Sequence, residues 1–127
     1  MLFRSVDMEL AILLDPLIAH VMIVGEARPF LAALVVVDRD EWSKIASSDL
    51  PADPSGEGRE RAEKFIAGRI AAQIKGFPGY AQVRRVAIVG EPWTVDNGLL
   101  TPTLKLRRQQ ILERFGDRLE EIYRVRG

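Results

Sequence analysis

The stretch Trp93-Thr94-Val95-Asp96-Asn97-Gly98-Leu99-Leu100-Thr101-Pro102-Thr103-Leu104-Lys105-Leu106-Arg107-Arg108 gathers residue types that can meet an anion. Asn97-Gly98 and Thr101-Pro102 are turn formers, so a loop leads to the lysine. Lys105 stands between two leucines, which suggests an ammonium held at a defined place. Arg107 and Arg108 follow at what reads as a helix start, where the dipole disfavours cations by a few tenths of a kcal/mol or more each. On the residues alone two readings stay open: a solvated helix start, or a contact to an anionic or nucleotide ligand.

The rest of the chain offers less chemistry. It has no Cys and a single His, which excludes zinc sites built on those residues. Neither Gly-x-x-x-x-Gly-Lys-Ser/Thr nor Gly-x-Gly-x-x-Gly occurs, so no glycine loop cradles phosphates. His20 reads as an edge or partly buried histidine with a hydrogen-bond partner. Asp38 and Asp40 read as a helix cap and its first turn, and Trp42 and Trp93 as packing residues.

Elements that would position the lysine follow from pattern. Val6–Leu14 has helical spacing, with Leu10, Leu13 and Leu14 on one face and Asp7 and Glu9 in the first turn. Leu2-Phe3-Arg4-Ser5, before it, belongs to no obvious element. Val21–Val24 and Leu31–Val37 are β-rich runs joined by Gly25-Glu26-Ala27-Arg28-Pro29, short enough for an antiparallel hairpin. Val35-Val36-Val37 does not alternate with polar residues, which predicts a strand covered on both faces. Asp38 caps a short helix over Arg39–Ala46 with Trp42 and Ile45 inward. Residues 47–58 are a polar surface loop. Ala62, Ile66, Ile70 and Ile74 repeat every four residues and predict a helix, stopped by Gly76 and Pro78. Val83–Val89 reads as a third strand. A charged amphipathic tail closes the chain, with Ile111, Leu112, Phe115, Leu119, Ile122 and Tyr123 as its stripe. The order predicts one α+β domain over residues 1–127: a small three-stranded mixed sheet with an antiparallel pair, flanked by helices.

The run from Asn97 to Arg108 resembles the C-terminal motif of the long-chain fatty-acid–CoA ligases, a branch of the AMP-forming, adenylate-making acyl-CoA synthetases. That branch spells it Leu-Thr-Pro-Thr-x-Lys-x-Lys/Arg-Arg, as Leu100 to Arg108 do. The resemblance extends from about Val6 to Tyr123. Asp15-Pro16-Leu17-Ile18, Val21 to Glu26, Arg28 to Val36, Arg85 to Val89 with Glu91-Pro92-Trp93-Thr94, and Leu119 to Tyr123 follow in the family's order.

The resemblance implies a two-step reaction. A fatty-acid carboxylate attacks the α-phosphate of ATP, bound with Mg²⁺, to give acyl-adenylate and pyrophosphate; the CoA thiol then displaces AMP. Lys105 matches the lysine that the family inserts for the first step, against the carboxylate and the α-phosphate. Thr101, Pro102 and Thr103 would shape its loop, and Arg108 matches an arginine that anchors the loop or meets the other domain. Family members rotate this domain between the two steps. The phosphate loop, the adenine and acyl pockets and the hinge belong to a large N-terminal adenylation domain, the implied partner beside acyl-adenylate and CoA. The chain therefore resembles a C-terminal lid, expected to be inactive alone, to bind no cofactor tightly and to carry a loose Gly98–Lys105 loop.

Two other classes stay in view: a non-catalytic α/β module that senses a small molecule, and a nucleic-acid module using Arg107, Arg108, Arg114, Arg118, Arg124 and Arg126. Against the second, Glu113, Asp117, Glu120 and Glu121 interleave with those arginines. Eighteen basic residues also balance eighteen acidic ones, so no overall field recruits nucleic acid. No apolar run approaches the ~20 residues that span a bilayer. The expected location is the cytoplasm, with peripheral membrane association of the whole enzyme as the open alternative.

Overall fold

The computed structural model describes residues 4–25 and 28–124. Leu2 and Phe3, Glu26 and Ala27 of the hairpin connection, and Arg126 lie outside the described residues. Helix α1 (Ser5–Ile12) leads into strands β1 (Ile18–Val24) and β2 (Leu31–Val37). Helices α2 (Arg39–Ile45) and α3 (Arg59–Ile74) and a 3-10 turn at Gly79–Ala81 precede β3 (Val83–Ile88). After a long loop come α4 (Arg108–Arg114) and α5 (Gly116–Arg124).

Strand order is β1-β2-β3. β2 runs antiparallel to β1, with Val21 opposite Val35 and Ile23 opposite Ala33. It runs parallel to β3, with Ala33 beside Val86. This is the mixed sheet that the sequence predicts. As the central strand, β2 is buried from Ala32 to Val37, which explains its unbroken apolar run. Alternate side chains serve two cores. Ala33, Val35 and Val37 pack with Met8, Ile12, Trp42 and the α3 stripe Ala62, Ile66, Ile70 and Ile74. Ala32, Leu34 and Val36 pack with Trp93, Leu99, Leu100, Ile111, Leu119 and Ile122. Burying one such aliphatic side chain contributes roughly 1.5–3 kcal/mol. Three isoleucines at helical spacing therefore hold α3 on the sheet, although its other faces are charged.

Two local expectations hold in detail. Asp38 Oδ1 accepts the Glu41 N–H at 2.9 Å, closing the start of α2 over buried Trp42. The C-terminal stripe faces the second core, but the tail breaks at Phe115 into two helices, where Gly116 is a poor helix former. One expectation is corrected. In α1 the buried residues are Met8, Glu9 and Ile12, while Leu10, Leu13 and Leu14 are exposed. The helix begins at Ser5, so only Asp7 sits in its first turn; Glu9 lies beyond it and faces inward.

Candidate functional site

The motif loop is built on asparagine. Asn97 Oδ1 accepts the Thr94 and Leu99 N–H groups at 3.0 and 3.2 Å, and Thr94 Oγ1 accepts the Asn97 N–H at 3.0 Å. Gly98 then takes a φ of 81°, a left-handed turn that glycine enters without steric cost. The chain thereby drops Leu99 and Leu100 into the second core, where they are 1% and 5% exposed. The side chains fixing the base of this loop are thus short polar ones, and those fastening it to the sheet are leucines.

Beyond that base the loop turns outward. Thr101 is its hub. The Thr101 carbonyl accepts the Leu104 N–H at 2.7 Å, which closes a turn with Pro102 as its second residue, where a fixed φ is favourable. Its Oγ1 accepts the Lys105 N–H at 3.0 Å and lies 3.1 Å from Thr103 Oγ1. Its N–H donates to the Lys105 carbonyl at 2.8 Å, and Leu100 bridges to Leu106. The expectation of a loose loop underestimates this bonding. Lys105 stands at the apex, exposed, and its ammonium pairs with no carboxylate among the described residues.

Arg108, the first residue of α4, points the other way. Its guanidinium donates to both carboxylate oxygens of Glu9, at 2.5 and 3.0 Å. Glu9 also accepts the Ile23 N–H of β1 at 2.7 Å. One buried carboxylate therefore ties α1, β1 and the segment three residues past Lys105 together. The pairing also removes the cost of a cation at the start of α4. The resemblance implies for Arg108 either a loop anchor or a contact with the other domain; its pairing with Glu9, 99 residues away, leaves no local signal in the sequence.

Lys105, Leu104 and Arg108 line an open groove of about 470 Å³ with Val6, Glu9, Leu10, Leu13 and His20. His20 stacks on Trp93, with ring centroids 5.6 Å apart, in place of the expected hydrogen bond. Burial holds its imidazole below the ordinary histidine value, so the ring adds no second positive charge beside Lys105 at neutral pH. The groove is thus an apolar cleft with one unpaired ammonium at its rim.

The remaining arginines are mostly spoken for. Arg114 binds Glu91 at 2.5 Å and the Asn97 carbonyl at 3.2 Å. Arg118 joins Glu63 and Glu121, and Arg28 joins Glu120. Among the described residues of the tail, Arg114 and Arg118 are thus held in ion pairs. No described helix is long and apolar enough to cross a membrane.

Comparison with known proteins agrees with the fold. The family model described as AMP-binding enzyme C-terminal domain matches residues 2–126. The chain is 28% identical over 124 residues to the probable acyl-activating enzyme 16 of Arabidopsis thaliana, covering 95% of this chain and 17% of that protein. It is 28% identical over 112 residues to the long-chain-fatty-acid–CoA ligase FadD15 of Mycobacterium tuberculosis, covering 85% and 19%. The adenylation domain of a carboxylate reductase from Mycobacterium chelonae superposes with a TM-score of 0.79 at 25% identity, over 97% of this chain and 18% of that one. The chain thus spans less than a fifth of the length of each.

Proposed function

Because the chain belongs to the AMP-binding enzyme C-terminal domain family, we propose that it is the catalytic lid of an AMP-forming ligase that converts long-chain fatty acids to acyl-CoA. Acyl-activating enzymes, a fatty-acid–CoA ligase and a carboxylate reductase all share this domain. The long-chain acid and CoA rest on the spelling Leu100-Thr101-Pro102-Thr103-Leu104-Lys105. The observation that carries the catalytic reading is Lys105 itself: an unpaired ammonium on a cross-tied loop, beside an apolar cleft.

In the first step a carboxylate oxygen forms a bond to the α-phosphorus of ATP, and the bond to the pyrophosphate oxygen breaks. Negative charge is crowded between the two reactants. An ammonium placed there relieves the repulsion and costs no reorganisation when it is already positioned, an effect worth a factor of about 10²–10³ in comparable sites. A compact ammonium on a flexible stem suits entry into a narrow space between two anions. Mg²⁺ would arrive with the ATP phosphates, whose binding we assign to the large adenylation domain. In the second step the CoA sulfur bonds to the acyl carbon and AMP leaves, a displacement that does not need Lys105.

The test is Lys105→Ala in an enzyme carrying this domain. Acyl-adenylate formation should slow at least ~10²-fold. Thioester formation from supplied acyl-adenylate should change far less, and Lys105→Arg should not rescue, its fork being wider than an ammonium. Loss of both steps together with a lower melting temperature would assign Lys105 a structural role and end this reading.

A further inference from the structure

Leu104 is set against the preferences of its residue type twice over. Its φ of 66° is left-handed, where an L side chain crowds the backbone, and no other described non-glycine residue has a positive φ. It is also 68% exposed. The bonds that impose this backbone are the Leu104 N–H to the Thr101 carbonyl, the Lys105 N–H to Thr101 Oγ1, and the Thr101 N–H to the Lys105 carbonyl. None of them uses the leucine side chain. Glycine would satisfy all three without strain. The loop therefore keeps, at a steric cost, a large apolar group that its own folding does not need. Strain that the surroundings over-determine at an exposed position points to function.

What the side chain faces narrows that function. Leu104 lines the same groove as Lys105, together with Leu10 of α1 and Leu13 just after it, 61% and 40% exposed. Four of the six large apolar side chains exposed among the described residues, Val6, Leu10, Leu13 and Leu104, thus line the groove beside the unpaired Lys105 ammonium. Adjacent Cα atoms lie 3.8 Å apart. With both side chains lining one groove, a surface that receives Lys105 passes within reach of Leu104.

We propose that Leu104 is an apolar anchor that seats in a hydrophobic pocket of the large adenylation domain and sets how Lys105 enters the site. The inference rests on the reading of Lys105 given above. The partner is the adenylation domain because such enzymes hold more than four-fifths of their length outside the segment this chain matches. A seated leucine also excludes water beside the ammonium, which strengthens its attraction to the two anions.

The experiment sets stability against rate. Leu104→Gly and Leu104→Asn both accept a left-handed backbone and remove the apolar group. Each should leave the melting temperature unchanged or raise it by up to about 4 °C. In an enzyme carrying the domain, each should slow pyrophosphate release by about 10–100-fold, the scale of one lost buried leucine. Leu104→Met, which keeps the apolar bulk, should restore most of that rate. Wild-type rates in both the Gly and Asn variants would overturn the proposal, and so would a rate loss that tracks a fall in melting temperature. Dimers of the 127-residue chain that Leu104→Asn dissolves, with the rate untouched, would assign the groove to a second copy instead. Lys105→Ala is the control: if it is silent, the catalytic reading fails whatever Leu104 does.

Discussion

Removing the Glu9 carboxylate should be among the most damaging single changes in this domain. The side chain is 7% exposed and serves three donors: the Ile23 N–H and the two nitrogens of Arg108. In Glu9→Ala the Ile23 N–H is left buried without an acceptor, at about 1–3 kcal/mol. Arg108 loses its counter-charge. The cost of about 3–5 kcal/mol for a fully buried pair must be cut by roughly half here, because Arg108 is 39% exposed and water can reach it. Together these give about 2.5–5.5 kcal/mol, or roughly 8–28 °C in melting temperature for a chain of this size. Glu9→Gln keeps an acceptor for Ile23 and should cost only about 1–2 kcal/mol. Urea unfolding followed by tryptophan fluorescence measures both, because Trp42 lies in one core and Trp93 in the other. A double-mutant cycle with Arg108→Gln isolates the pair. A coupling energy under about 0.3 kcal/mol, or a Glu9→Ala cost under about 1 kcal/mol, would refute the assignment of this carboxylate as a structural tie.

Two further outcomes follow from the same contacts. Burial pushes the Asp15 carboxyl up, but hydrogen bonds from Arg69 at 2.7 and 2.9 Å and from the Leu17 N–H at 3.0 Å outweigh it and hold the group below its ordinary value. A depressed carboxyl stabilises the fold above the unfolded value near 3.9, and that contribution is lost as pH falls through the native value. Asp15→Asn should therefore flatten the acid limb of the stability curve below about pH 4, while a limb unchanged in steepness would contradict the shift. Thr101→Val removes the Oγ1 acceptor of the Lys105 N–H from a half-exposed site and should cost under about 1 kcal/mol. Adenylation should nonetheless slow in an enzyme carrying the domain, since the lysine loses its fixed direction; an unaltered rate would show that the hub does not position it.

How much of this was legible in the sequence depends on whether the deciding contact is local. The α3 stripe, the Asp38 cap and the apolar run of β2 each declare themselves within a few residues, and the structure keeps all three. In the motif loop the turn formers and a lysine between leucines are visible in one line, and on the residues alone they fit a solvated helix start as well as an anion contact. The face of α1 was not legible. Its leucines carry the apolar period, yet the side that packs holds Met8, Glu9 and Ile12. Burying Glu9 makes sense only once Arg108 is placed against it, and nothing near residue 9 signals that. The left-handed backbone of Leu104 was equally hidden, since leucine is the wrong residue for it and Thr101 imposes it from three positions away.

Leu99 and Leu100 are the footing of the loop, and they lie in the same core as Ile111, Leu119 and the upper face of β2. This has a mechanical consequence. The base of the loop is mounted on the sheet as a pawl is mounted on its wheel. The base of the loop cannot be bent away from the sheet without pulling two leucines out of an apolar interior at roughly 1.5–3 kcal/mol each. Any displacement of the loop's base has to carry the sheet and its helices with it. The backbone at Lys105 therefore keeps the slow tempo of the 14.2 kDa body it is footed on, and only the stem of the lysine is left to the quick torsions of a surface side chain.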